Sequence, residues 1–254
     1  MKLINNFKSP NFDNRKNKIS FIIIHYTALK DSKEAISYLC DPGKKVSSHF
    51  LISQTGNIFQ LVHENKRAWH AGVSYWDGKI DINSMSIGIE LDFSKNKNNN
   101  KYSKKMIKSL ITLIKKLKHK YNIKETNILG HSDVAPFRKI DPGPKFPWQK
   151  LYDRNLVLLP FKNNNFNNIN LKKWFLKNKI TSKKKIISFI LSYIGYDTSK
   201  IINNSRNYKK LIHAYQSHYV QKNVSGKIDV KTLNLIMRHF INYVLTINKN
   251  KLKL

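Results

Sequence analysis

Apolar positions divide the chain into two unlike halves. In the first, short runs of large apolar residues are bounded by polar stretches: residues 20–25, which hold Phe21 to Ile24, then 49–53, 57–62, 86–92 and 127–131. Runs of this length, rich in isoleucine, predict buried strands. Thr55, Gly56 and Asn57 predict a hairpin turn between the second and third. Residues 104–121 follow another period: Met106, Leu110, Leu113, Leu117 and Tyr121 recur at three and four, predicting an amphipathic helix that Ser103 can cap. A shorter helix is expected around Lys33 to Leu39. Strands mixed with helices predict an α/β fold, a mixed central sheet flanked by helices over residues 1–152.

Past that point the pattern changes. Pro160 and the asparagine-rich FKNNNFNNIN predict a linker over 153–170. Residues 171–254 then carry only helical periodicity. Ile186, Ile187, Ile190 and Ile194 form one apolar face, Tyr208, Leu211, Tyr215 and Tyr219 a second, and Val230, Leu233, Met237, Phe240 and Val244 a third. These predict a small C-terminal three-helix domain.

Composition adds less than its extremes suggest. The chain has 254 residues, enough for a core without staples, and 47 Lys plus Arg against 15 Asp plus Glu, a net charge of +32. Such a charge favours anionic polymers in general. However, the basic residues are mostly lysine, run along the whole chain and rise together with asparagine and isoleucine. Stretches such as SKNKNNNKYSKK read as polar surface loops, and no motif marks a specific nucleic-acid partner. Cys40 stands alone, so no intramolecular disulfide is expected. No apolar run reaches a membrane span, and residues 1–19 show no apolar export stretch, so the expected compartment is the cytoplasm.

The chemistry concentrates in ILGHSDVAPFRKIDPGPKFPW, residues 128–148, which places His131 at the end of an apolar run and Asp141 in a stiff loop. Imidazole and carboxylate are both zinc ligands. His25, ending the run Phe21 to Ile24, is the natural third, leaving one position for water. Glu90 in SIGIEL offers a carboxylate to move protons, and Lys139 a cation for an oxyanion. Singly, each has an ordinary reading. Asp141 precedes Pro142 and Gly143, a strong turn signal, and a strand-end histidine is most often structural. Their joint occurrence reads as a hydrolytic centre with one zinc per chain.

In order, the segments FIIIHYTAL, SSHFLIS with GNIFQLV, AWHAG, NSMSIGIEL and GHSDVAPFRKIDPGPKFPW span residues 20–152. They resemble the zinc-dependent N-acetylmuramoyl-L-alanine amidases of type 2, in particular the AmiD- and AmpD-like branches. The resemblance implies the type 2 amidase fold, with His25, His131 and Asp141 as zinc ligands, Glu90 as acid/base and Lys139 as the transition-state cation. It implies hydrolysis of the amide between N-acetylmuramic acid, intact or 1,6-anhydro, and the L-alanine of the stem peptide. The partners are then peptidoglycan or anhydro-muropeptides, with no oligomeric state specified. Trp69, His70 and Asn83 resemble groove positions, and Arg138 suits a stem-peptide carboxylate. His49 reads either as a groove residue or as a histidine hydrogen-bonded within the sheet. Ser48 stands where phage members carry a catalytic tyrosine, which leaves proton transfer to Glu90.

The segments SYIGYD, AYQSHY and GKIDVKTLNLIM resemble a peptidoglycan-binding domain. That domain implies polymeric substrate and the cell envelope as the alternative compartment. The competing class is a non-catalytic peptidoglycan-recognition protein, which a missing ligand would favour.

Overall fold

The computed structural model describes residues 3–94, 100–160, 173 and 175–247. Across its main sheet the strands run β1 (Leu3–Ile4), β5 (Ile58–Gln60), β4 (Phe50–Ile52), β7 (Ser86–Leu91), β3 (Phe21–Tyr26) and β8 (Ile128–Gly130). β3 pairs in parallel with β7 and β8, β7 with β4, and β1 with β5, while β4 and β5 are antiparallel. The sheet is therefore mixed, as predicted. Phe21 to Ile24 are buried without alternation, because a central parallel strand is covered on both faces.

Local sequence fixes the surrounding elements. α1 (Ser32–Cys40) starts where the Asp31 side chain accepts the Glu34 N–H, and a short α2 (Ile82–Met85) precedes β7. α3 (Lys104–Tyr121) starts at Ser103, whose hydroxyl accepts the Met106 N–H at 3.0 Å, and buries Met106, Leu110, Leu113 and Leu117 against the core. Between β4 and β5, Gly56 takes φ +87° and lies so close to α3 that a Cβ would stand 3.0 Å from the Lys105 carbonyl oxygen. Only glycine meets both conditions.

The register of the three inner strands positions the site. Ile24 lies opposite both Ile89 and Gly130, and one residue further His25 lies opposite Glu90. The strand predicted to 131 ends at Gly130, and His131 instead opens α4 (His131–Val134). His25, Glu90 and His131 thus meet beyond the carboxyl ends of adjacent parallel strands, where open α/β sheets form their crevices. Among the described residues, three strands escaped the sequence pattern: β1, and the antiparallel pair β2 (Phe12–Asn14) and β6 (Lys66–Ala68). At two or three residues each, they are too short to show a period.

The C-terminal half folds as α6 (Lys183–Ile194), α7 (Ser205–Tyr219) and α8 (Val230–Ile247), after a short α5 (Trp148–Tyr152). The predicted faces of α6 and α7 are inward. On α8, Val230 is exposed and Ile236 takes the central place beside Phe240, because Val230 opens the helix outside the packed stripe. The side chain of Val244, and residues 95–99 and 161–170 of the predicted loop and linker, lie outside the described residues. In the first part of the predicted linker, Leu156, Val157 and Leu159 are buried, and one apolar cluster runs from Ile22 through Trp148 and Leu156 to Ile190, Tyr215 and Phe240. The two halves share a core. Among the described residues no helix is long and apolar enough to cross a membrane.

Two buried histidines that are not themselves metal donors make this core acid-sensitive. Burial, then the Arg15 cation, lowers His49 to about 3, and burial, then His218, lowers His239 to about 3. Both folded values lie below the unfolded one near 6.5, so the unfolded chain takes up protons first as pH falls. Their contribution is complete above pH 6.5 and is lost toward pH 3, by about 1.4 kcal/mol per pH unit for each histidine. With a chelator present throughout, the urea midpoint should fall clearly between pH 7.5 and pH 5. An unchanged midpoint would show that these histidines are not held neutral.

Candidate metal centre

Three donor atoms meet at the strand ends. His25 Nδ1 lies 3.0 Å from His131 Nδ1 and 3.2 Å from Asp141 Oδ2, and His131 Nδ1 lies 3.0 Å from the same oxygen. All three residues are buried and form the candidate metal group among the described residues. Tetrahedral zinc with bonds of about 2.0–2.1 Å separates its donors by roughly 3.3 Å. The triangle fits that ion closely.

Hydrogen bonding further out decides where the imidazole protons sit. His131 Nε2 is 3.1 Å from the Ala71 carbonyl oxygen, which only accepts, so this nitrogen carries the proton and Nδ1 is bare. A longer chain sets His25. The Ser86 hydroxyl donates to the Ile82 carbonyl at 2.6 Å, so its oxygen accepts from His70 Nε2–H at 3.2 Å. His70 Nδ1 then accepts from His25 Nε2–H at 3.0 Å, leaving His25 Nδ1 bare. Two bare nitrogens and a carboxylate oxygen face one another with no proton to share, an arrangement that a divalent cation satisfies and hydrogen bonds do not.

Small residues and backbone contacts hold the geometry. Gly88 on β7 leaves room for His70, since a Cβ there would stand 2.6 Å from His70 Cδ2. The Asn83 side-chain oxygen accepts the N–H groups of His70 and Ala71 at 3.1 and 2.7 Å. The loop to Asp141 folds back so that the Ser132 N–H donates to the Asp141 carbonyl at 2.8 Å.

The centre opens into a cavity of about 500 Å³ lined by Tyr26, Thr27, Leu29, Val46, His70, Glu90, Arg138, Lys139 and Ile140, among others. Glu90 Oε2 is shut off from solvent and has no hydrogen-bond partner. Burial first, then the Asp141 charge, pushes its carboxyl up to about 8, while Lys139 works against both. Burial, then His131, lowers His25 to about 4. Burial works to raise Asp141, but the two imidazoles hold it well below the carboxylate range. The arrangement can hold a cation beside a carboxyl that exchanges its proton near neutral pH.

Of the residues expected in a groove, His70 and Arg138 line the cavity. One Arg138 terminal nitrogen donates to the carbonyls of Ala71 and Val73. His49 does not line it: fully buried, its Nδ1 accepts the Gly88 N–H at 2.9 Å, so it is the sheet histidine of its two readings. Asn83 is also buried and supports the site from behind, and the Trp69 indole turns away to donate to Asp13 at 2.7 Å. Ser48 is buried and donates to the Gly88 carbonyl. Sequence reasoning missed Ser86 and the wall Tyr26 to Leu29. Only the position of that wall directly after the strand-end histidine signalled it.

Comparison with known proteins gives a consistent match. The family described as N-acetylmuramoyl-L-alanine amidase matches residues 15–144. The N-acetylmuramoyl-L-alanine amidase AmiD of Escherichia coli (strain K12) is 33% identical over 235 residues, 85% of this chain and 80% of its own. The 1,6-anhydro-N-acetylmuramyl-L-alanine amidase AmpD of Haemophilus influenzae is 37% identical over 163 residues, 56% of this chain and 87% of its own. The solved complex of Escherichia coli AmiD with anhydro-N-acetylmuramic acid-L-Ala-D-gamma-Glu-L-Lys superposes with a TM-score of 0.75 at 32% identity, covering 89% of this chain and 90% of that one. AmpDh3 from Pseudomonas aeruginosa, in complex with anhydromuramic pentapeptide, also gives 0.75, at 28% identity, covering 89% and 93%.

The proton chain from Ser86 to His25 makes a testable claim. Ser86→Ala removes the acceptor that fixes His70 and so releases the tautomer of His25. Competition with a chromophoric chelator should show zinc bound roughly tenfold more weakly, in line with other outer partners of metal ligands. Wild-type affinity would mean the chain does not set the donor.

Proposed function

The chain belongs to the N-acetylmuramoyl-L-alanine amidase family, and on that basis we propose that it cuts its amide with one zinc held by His25, His131 and Asp141. The enzyme hydrolyses the bond between the lactyl group of N-acetylmuramic acid and the L-alanine of the stem peptide. What carries the zinc reading is the triangle of three unprotonated donors beside the unpartnered oxygen of Glu90. When bound, zinc supplies Lewis acidity to the amide carbonyl and to the attacking water.

The residues of the chain do the rest. A Glu90 carboxyl balanced near neutrality can take the proton of water as it attacks and return it to the departing alanine nitrogen. Lys139, on the cavity wall, places a cation where the carbonyl oxygen becomes negative. The apolar wall of Leu29, Val46 and Ile140 limits water around the reacting bond. No side-chain nucleophile is required.

For substrate we propose both anhydro-muropeptides and intact peptidoglycan. AmiD and AmpDh3 have been solved with anhydro-muramic peptides, which supports the first. The appended helical domain supports the second. A purely recognising protein would lack a donor or the carboxylate, and this chain retains all four.

Glu90→Gln keeps the shape of the side chain and removes its base. Turnover of a soluble muropeptide, followed by mass spectrometry, should fall by about 10²–10⁴-fold while zinc remains bound. Activity within tenfold of wild type would remove Glu90 from the reaction.

A further inference from the structure

We propose that the helical domain clamps the loop carrying His131 and Asp141 in its metal-holding shape, so that it contributes to cleavage even of fragments too small to reach a wall-binding surface. This rests on the zinc-amidase reading above.

Besides the Asp77 N–H, which donates to the Gly195 carbonyl at 2.8 Å, a set of side-chain hydrogen bonds from the helical domain falls on this loop. Tyr196 OH donates to Asp133 Oδ1 at 2.6 Å, and His218 Nδ1–H donates to Asp133 Oδ2 at 2.7 Å. The same Oδ2 accepts the N–H of Gly130, the last residue of β8, at 2.7 Å. Asp133, Tyr196 and His218 are all buried. One carboxylate therefore ties the strand end, the turn bearing His131 and two residues of the helical domain. On the far side of Asp141, Gln221 Nε2 donates to the carbonyls of Pro144 and Phe146 at 2.7 and 2.6 Å. Between the two ligands, Lys210 Nζ donates to the Phe137 carbonyl at 2.6 Å. Ring packing supports these bonds: His218 stacks on Trp148 at 3.7 Å, and Tyr196 meets Trp76 edge-on at 4.8 Å.

The physical reason is the cost of a buried carboxylate. Asp133 is stable in the core only while its oxygens are hydrogen-bonded, and most of its donors come from the helical domain. Remove one and the carboxylate must turn toward another, carrying with it the residue two positions away that binds the metal. Gln221 and Lys210 act on backbone carbonyls, so they fix the path of the loop and not one side chain. Tyr196, Lys210, His218 and Gln221 are thus positioning residues that touch neither substrate nor metal.

The test uses the full chain with Tyr196→Phe, which keeps the ring against Trp76, Gln221→Leu, and the two combined. Three quantities are read: the rate at which a chelator strips zinc, kcat and KM on a soluble anhydro-muropeptide, and co-sedimentation with purified sacculi. The double variant should lose zinc about tenfold faster and show a kcat reduced by a similar factor, with KM and sacculus binding within about twofold of wild type. Zinc retention and kcat equal to wild type would overturn the clamp, whatever happens to sacculus binding. Should the double variant not fold, Lys210→Met, at a partly exposed position, carries the same expectations. Should the wild type cleave nothing, the amidase reading fails, and the zinc-stripping rates still decide the clamp.

Discussion

Three lone pairs about 3 Å apart, with no proton between them, are the constraint from which the rest of the structure follows. Such a cluster would repel itself in a buried site, and a divalent cation turns the repulsion into binding. Each layer around it serves to keep it in place. The parallel register of β3, β7 and β8 brings the two histidine backbones together and sets Glu90 opposite His25. The chain from Ser86 through His70, and the Ala71 carbonyl, keep protons off the two Nδ1 atoms. The loop that returns Asp141 is held from the helical half of the molecule.

Glu90 shows what a reactive group costs this fold. A carboxyl oxygen shut off from solvent without a partner destabilises a protein by about 1–3 kcal/mol. That cost keeps its proton exchangeable near neutral pH, with Lys139 limiting how far burial can push it. Asp133 is the opposite case. It is more deeply buried than Glu90, yet both its oxygens are hydrogen-bonded, and so it is structural. Two neighbouring carboxylates, one on the cavity wall and one buried behind it, differ in role because one has an oxygen without a partner and the other does not.

Much of this was legible in the sequence, for identifiable reasons. His25, Glu90 and His131 could be found because each lies at the polar end of an apolar run, and parallel strands bring such ends together. Asp141 was marked by its stiff loop. His49 and Asn83 belong to the same motif segments yet face inward, since a short motif does not say whether a residue forms the cavity wall or supports it. Ser86 carried no signal, because its role exists only through His70. β1, β2 and β6 depend on pairing with distant segments and have no period of their own. Helical periodicity revealed α6, α7 and α8, but the hydrogen bonds that dock them on the loop form only in the folded molecule.

The most direct test of this account measures metal content and amide cleavage on the same sample of protein. One zinc per chain is expected by mass spectrometry of the native protein. A chelator should remove zinc and the release of stem peptide from an anhydro-muropeptide together, and added zinc should restore both. Cleavage that continues undiminished in zinc-free protein would contradict the central claim that His25, His131 and Asp141 are built to hold the ion that makes the reaction possible.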